Sequence, residues 1–231
     1  MTNQKAVMAA TKKTLKGLPI GPLLVSSKTA IGRRTFAGST AYWERRYAAG
    51  EHSGKGSLGD LARYKSSVLN AFVAEHDISS VLEFGCGDGN QLALACYPSY
   101  VGLEVAGSAV DACARRYADD PGKSFLWFDP ARFVNHGALT ADLTLSLDVV
   151  YHLVEDDVFA RHLAQLFEAA RRYVVIYATD FDRPKNGAHV RHRRFTPEVA
   201  RTQPGWRLVD TLDNPLFGKG TEAQFHIYAK K

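Results

Sequence analysis

The stretch VLEFGCGDGNQL, Val81 to Leu92, sets four strand-forming residues directly before glycines at 85, 87 and 89. Glycine accepts left-handed backbone, so the chain can turn sharply here and bring backbone N–H groups close to a ligand. Two cofactor classes use such a turn. A dinucleotide fold requires G-x-G-x-x-G, but the residue three after Gly87 is Asn90, so that fingerprint fails. The spacing present is E-x-G-x-G-x-G, led by Glu83. A carboxylate before the turn suits a cationic ligand better than a pyrophosphate.

Outward from this turn, strand and helix patterns alternate. Upstream, LGDLARYKSSVLNAFVAEHDI reads as an amphipathic helix, with Leu61, Tyr64, Val68, Leu69, Phe72 and Val73 at i, i+3 and i+4 spacings. Downstream, LALACY is expected to continue into a helix. Strands are expected at 80–84, 100–105, 124–128, 142–150, 173–179, 206–212 and 223–229. Helices are expected at 108–118 and 155–172, the second with acids in its first turn and arginines in its last, as the helix dipole favours. This alternation predicts an α/β fold with a mainly parallel central sheet. Ligands of such sheets bind beyond the carboxyl ends of the strands, so the residues there are the candidates for a site.

VLEFGCGDGNQL resembles the first motif of the class I S-adenosylmethionine-dependent methyltransferases. The resemblance covers about residues 58–231. It implies a Rossmann-like, seven-stranded, mainly parallel sheet flanked by helices, with S-adenosylmethionine as cofactor and S-adenosylhomocysteine as product. It implies that Glu83 orients the methionine end and that Gly85 and Gly87, with Cys86 and Asn90 beside them, line the cofactor. Glu104 lies nineteen residues after Gly85 at the end of the next strand, where an acid accepts bonds from both ribose hydroxyls. Asp129, after the third strand, is the family's position for meeting the adenine amino group; Asp before Pro is also a common turn starter. YWERRYAAG, SGKGSLGDLARYK, SLDVVYHLVEDDVF and VRHRRFTPE look like a subgroup of small methyltransferases associated with polysaccharide and glycan biosynthesis.

The fourth strand of that fold ends beside the transferred methyl group. Here that end is Asp148, with Tyr151 and His152 close behind. Asp148 is a candidate for the cofactor–acceptor junction. His152 is a candidate general base, because a hydroxyl nucleophile must lose a proton and imidazole titrates near neutrality. Glu155, Asp156 and Asp157 are read as helix-start acids. No spacing compels a Mg²⁺ site, and no metal ligand is predicted. His189, Arg191, His192, Arg193 and Arg194 form the densest cationic cluster outside the N-terminus. In an extended segment Arg191 and Arg193 share a face, and paired guanidinium forks suit an anionic acceptor. The expected reaction is O-methylation of a small polar acceptor such as a sugar or glycan intermediate. The rivals are an N-methyltransferase on an amine or phosphoramide and an RNA methyltransferase.

Charge is unevenly placed. Residues 1–43 carry seven lysines and arginines and no acid, whereas residues 44–231 hold 22 basic against 24 acidic residues. A slightly acidic body, with DVVY in place of a proline-shaped NPPY motif, weighs against a nucleic-acid partner. The expected organisation is a basic arm and lid over 1–57 and a methyltransferase domain over 58–231, with Tyr42, Trp43 and Tyr47 in the lid. Three cysteines without a CxxC pair suit reduced thiols in the cytoplasm. No apolar run approaches the ~20 residues that span a bilayer.

Overall fold

The computed structural model describes residues 36–184 and 187–231. The basic residues from Lys5 to Arg34 lie outside the described residues. One compact unit runs from Ala37 to Lys231. Its first elements are helix α1 (Ser39–Ala48), a 3₁₀ turn at Lys55–Ser57, and helix α2 (Gly59–Glu75). Strand β1 (Val81–Phe84) leads into the glycine turn. Then follow β2 (Tyr100–Glu104), α3 (Gly107–Arg116), β3 (Lys123–Trp127), β4 (Ala141–Leu147), α4 (Asp156–Glu168), β5 (Ala170–Ala178), α5 (Thr196–Thr202), β6 (Trp206–Leu212) and β7 (Gln224–Lys230).

The seven strands form one sheet in the order β3-β2-β1-β4-β5-β7-β6. β7 runs antiparallel to both of its neighbours, and the other pairings are parallel. Alternate residues of each strand feed opposite faces. Leu82, Phe84, Val174 and Ile176 join α4 and α5 in one core, while Val81, Val175 and Tyr177 join α2 in the other. Between β1 and β4 the strand order reverses direction, which opens a crevice at their carboxyl ends.

Two helix expectations are corrected. LALACY forms only a 3₁₀ turn over Leu92–Leu94. Pro98 and the start of β2 at Tyr100 leave little chain, and the Asn70 side chain ties the segment down at Leu94 O and Cys96 N. The helix expected to reach residue 172 ends at Glu168, and β5 begins at Ala170. Arg171 is therefore a strand residue, bonded to Asp142, Ser80 and Thr140, and Arg172 reaches the carbonyls of His76 and Asp77. Arg171 braces the start of the sheet, while Arg172 meets carbonyls just past the C-terminal end of α2 and not of its own expected helix. Helix α2 buries Leu69, Phe72 and Val73 and packs Tyr64 and Val68 against the same core, as expected, and it also turns Ala62, Lys65 and Ser66 inward. No helix among the described residues is long and apolar enough to cross a membrane.

Candidate active site

The glycine turn is a backbone device. Gly85, Gly87 and Gly89 have φ of 85°, 59° and 72°, all left-handed. A Cβ on Gly85 would lie 2.6 Å from Val149, and one on Gly87 would lie 2.4 Å from Ser53 Oγ. Only glycine fits either position. The turn hangs on β2: the amides of Gly85 and Cys86 donate to Leu103 O at 2.7 and 3.2 Å. Glu104 completes the attachment. Its Oε2 accepts from Gly87 N at 2.9 Å, and its Oε1 accepts from Val105 N and Ala106 N at 2.7 and 3.1 Å. Glu104 is buried, and desolvation raises its pKa against the pull of those three amides. Glu83 is also buried and accepts from Tyr100 Oη at 2.6 Å. Burial pushes its pKa up to about 7, although Tyr100 and Lys65 oppose the shift.

Across the crevice, Asp148 follows the last residue of β4 with a φ of 61°, unusual for a residue with a side chain. Three contacts hold it there. Its amide donates to Tyr177 O, its Oδ2 pairs with Lys65 Nζ at 2.5 Å, and its Oδ1 accepts from Tyr151 Oη at 2.7 Å. His152 donates from Nδ1 to the His189 carbonyl at 3.0 Å, because a carbonyl can only accept. That bond leaves Nε2 as the ring's lone-pair acceptor. The ring packs edge-on against Trp43 and parallel to His189. Burial lowers its pKa to about 4, so the imidazole is neutral at pH 7.

Helix α1 roofs the crevice with Trp43 and Tyr47. Two clasps fix it. Glu155 accepts from Ser39 N at 2.8 Å and from Ser39 Oγ at 2.6 Å. Asp88 accepts from Ser53 N at 2.8 Å, while Asp88 N donates to Ser53 Oγ at 3.1 Å. The walls of the cleft carry Glu83, Asp88, Glu104 and Asp148 against Lys55 and Lys65. Four carboxylates against two ammonium groups suit a cationic ligand.

Of the residues singled out from sequence, Glu83, Gly85, Cys86, Gly87, Glu104, Asp148, Tyr151 and His152 line this one cleft. Asn90 instead bonds Asp88 and Arg116. Asp129 starts a turn, accepting from Ala131 N and pairing with Arg132. Arg191 and Arg193 do share a face, yet both donate to Asp156 Oδ1 at 2.7 Å, and Arg193 also caps Leu153 O. His192 points the other way, to Thr179 Oγ1. The acids read as helix-start residues do start α4, with Glu155 at the N-cap and Asp156 and Asp157 in the first turn, and they also make side-chain pairs: Glu155 clasps Ser39, Asp156 binds the two arginines, and Asp157 pairs with Arg161. Sequence reasoning missed Lys65, Ser53, Gln91, His162 and Gln165, all of which line the cleft. The one available signal was the i, i+3, i+4 register of Lys65 with Ala62 and Leu69. Among the described residues no group of three or more His, Cys, Asp or Glu side chains converges as a metal site.

No family model matches this chain, and no curated protein sequence does. Solved structures resemble it. The N-methyltransferase NodS from Bradyrhizobium japonicum WM9, bound to S-adenosylhomocysteine, has TM-score 0.62 and 16% identity over 84% of this chain and 98% of its own. The magnesium protoporphyrin IX methyltransferase ChlM from Synechocystis PCC 6803, also with S-adenosylhomocysteine, has TM-score 0.58 and 14% identity over 87% and 99%. CalS10, an amino pentose methyltransferase from Micromonospora echinaspora, has TM-score 0.57 and 14% identity over 76% and 93%. At identities this low the likeness concerns architecture, and on that ground the chain has the Rossmann-like fold of the class I S-adenosylmethionine-dependent methyltransferases.

Proposed function

We propose that this protein is an S-adenosylmethionine-dependent methyltransferase acting on a small polar acceptor. The observation that carries the reading is Glu104. A buried carboxylate at the end of β2 holds the Gly87 amide of the glycine turn, at the crevice where the strand order reverses. The residues present fit the cofactor. The turn leaves no room for a Cβ at Gly85 or Gly87, and the cleft is rich in carboxylates. In this reading Gly85, Cys86 and Gly87 line the cofactor, Glu104 takes the ribose hydroxyls and Glu83 lies under the methionine end. When bound, S-adenosylmethionine supplies an electrophilic methyl group on a sulfonium.

The chain's own residues then position the nucleophile. Asp148 and Tyr151 mark the junction with the acceptor, and His152 offers Nε2 to the acceptor's proton. Trp43 and Tyr47 close the site, so segment 37–57 is a lid and the remainder the catalytic body. The leading acceptor is a hydroxyl of a sugar or glycan intermediate. An amine is the second reading, and one observation favours it. His152, with a pKa of about 4, is a weak base for a hydroxyl but a good acceptor for a neutral amine N–H. The anion-gripping role expected of Arg191 and Arg193 is not carried into this reading, because Asp156 holds both.

Calorimetry with S-adenosylmethionine and S-adenosylhomocysteine tests the cofactor, and absence of heat with both ligands would sink it. A radiolabelled methyl-donor screen over phosphorylated sugars, nucleotide sugars, glycan extracts, amino sugars and RNA then finds the acceptor. With that acceptor, His152→Ala is expected to lower kcat about 10²-fold or more for a hydroxyl, and much less for an amine. An unchanged rate removes His152 from the mechanism.

A further inference from the structure

Gln165 lies on the inward face of α4, is 7% exposed, and lines the cleft beside Phe128, Pro130 and His162. Its amide nitrogen donates to Pro130 O at 3.2 Å and Phe133 O at 3.1 Å. Both partners only accept, so the carboxamide cannot be turned round, and its two ends are assigned by the bonds themselves. The other end, Oε1, is buried and has no hydrogen-bond partner among the described residues. Buried acceptors are rarely left so.

The surroundings narrow what could satisfy it. Val105, Phe128, Pro130 and Val158 make this part of the cleft apolar. His162, one turn earlier on the same helix face, is tied to Ser146 Oγ at 2.8 Å. Burial lowers its pKa to about 4, so it brings no charge at neutral pH. Asp129, the residue expected from sequence to meet a nucleobase amino group, turns to Ala131 N and Arg132. What fits is a flat, uncharged ring with one exocyclic N–H donor.

We propose that Gln165 Oε1 accepts a hydrogen bond from the adenine amino group of the cofactor and thereby selects a 6-aminopurine over a 6-oxopurine. The inference rests on the reading that this cleft holds S-adenosylmethionine, and it adds a specificity residue to that site. A 6-oxopurine would set a carbonyl against Gln165 Oε1, two acceptors with no proton between them.

The test is calorimetry on the full chain with S-adenosylhomocysteine and with its 6-oxo analogue, S-inosylhomocysteine. Wild type is expected to prefer the amino form by at least about tenfold. Gln165→Leu is expected to weaken S-adenosylhomocysteine while leaving the 6-oxo analogue little changed, which collapses the preference. Gln165→Met, closer in length, serves if circular dichroism shows the leucine variant unfolded. A wild type that binds both ligands equally overturns the inference, as does a variant that keeps the full preference. A variant that loses both ligands equally shows Gln165 to be only a brace for the 129–133 loop, which also overturns it. If wild type binds neither ligand, the underlying cofactor reading fails instead.

Discussion

The two sides of the cleft are built differently. On the β1–β2 side the contacts are local: Gly85, Gly87 and Glu104 lie within twenty residues of one another, and backbone amides make most of the bonds. On the β4 side they are distant. Asp148 is held by Lys65 from α2, His152 by His189, and Glu155 by Ser39 at the start of α1. The first side is therefore a rigid cradle whose shape survives most side-chain changes. The second is an assembly of side chains, so under the proposed function acceptor specificity would change there without disturbing the cradle.

Glu104→Ala breaks the cradle and should have the largest effect. Three backbone amides lose a buried carboxylate, and affinity for S-adenosylhomocysteine by calorimetry is expected to fall at least about 100-fold. Unchanged affinity would mean that the two sides do not divide the labour in this way.

Lys65→Met tests the other side. It strands a partly buried Asp148 carboxylate, and chemical denaturation at neutral pH is expected to show a loss of about 2 kcal/mol. Adding Asp148→Asn should recover part of that loss. If the double variant is no better than the single, Lys65 acts through its ammonium over the Tyr177 ring and not through Asp148.

A pH series sharpens the comparison further. His162 is buried with a pKa near 4, below the ordinary value of 6.5, so between those values the unfolded chain binds the extra proton. Its share of stability is complete above about pH 6.5 and is lost as pH falls toward 4. Glu83 acts oppositely. With its folded pKa raised to about 7, it costs stability as pH rises from about 4.5 through 7. The denaturation midpoint of His162→Gln is expected to fall less steeply below pH 6.5 than that of wild type. Parallel curves would show that His162 does not titrate with unfolding.

The smallest effect is expected at the lid. Glu155→Gln keeps one acceptor for Ser39 but removes the charge, so KM should rise a few-fold with kcat nearly unchanged. A change in kcat larger than that in KM would move Glu155 from clasp to chemistry.

Legibility followed the same division. The turn at 85–89 and Glu104 were visible in the sequence because their geometry follows from residue type and short spacing. Helix and strand ends were less so: Arg171 and Arg172 suit a helix terminus, yet they fall within β5, at the irregularity between its Ala170 and Tyr173 pairings with β4. On the β4 side, Asp156 is the helix-start acid its position suggests, but its pairing with Arg191 and Arg193 from far along the chain was not legible. Gln165 gave no local signal, since a glutamine inside a helix pattern is ordinarily a surface residue.

By itself, then, the sequence determined the α/β alternation, the register of the glycine turn and the acid that supports it, because steric and short-range rules govern all three. Tertiary structure alone decided that Lys65 neutralises Asp148, that His152 is a neutral imidazole with its tautomer set by His189, that two arginines brace a loop, and that Gln165 buries an acceptor with no hydrogen-bond partner among the described residues. Each of these depends on burial and on partners far away in the chain, and no local pattern of residues encodes either.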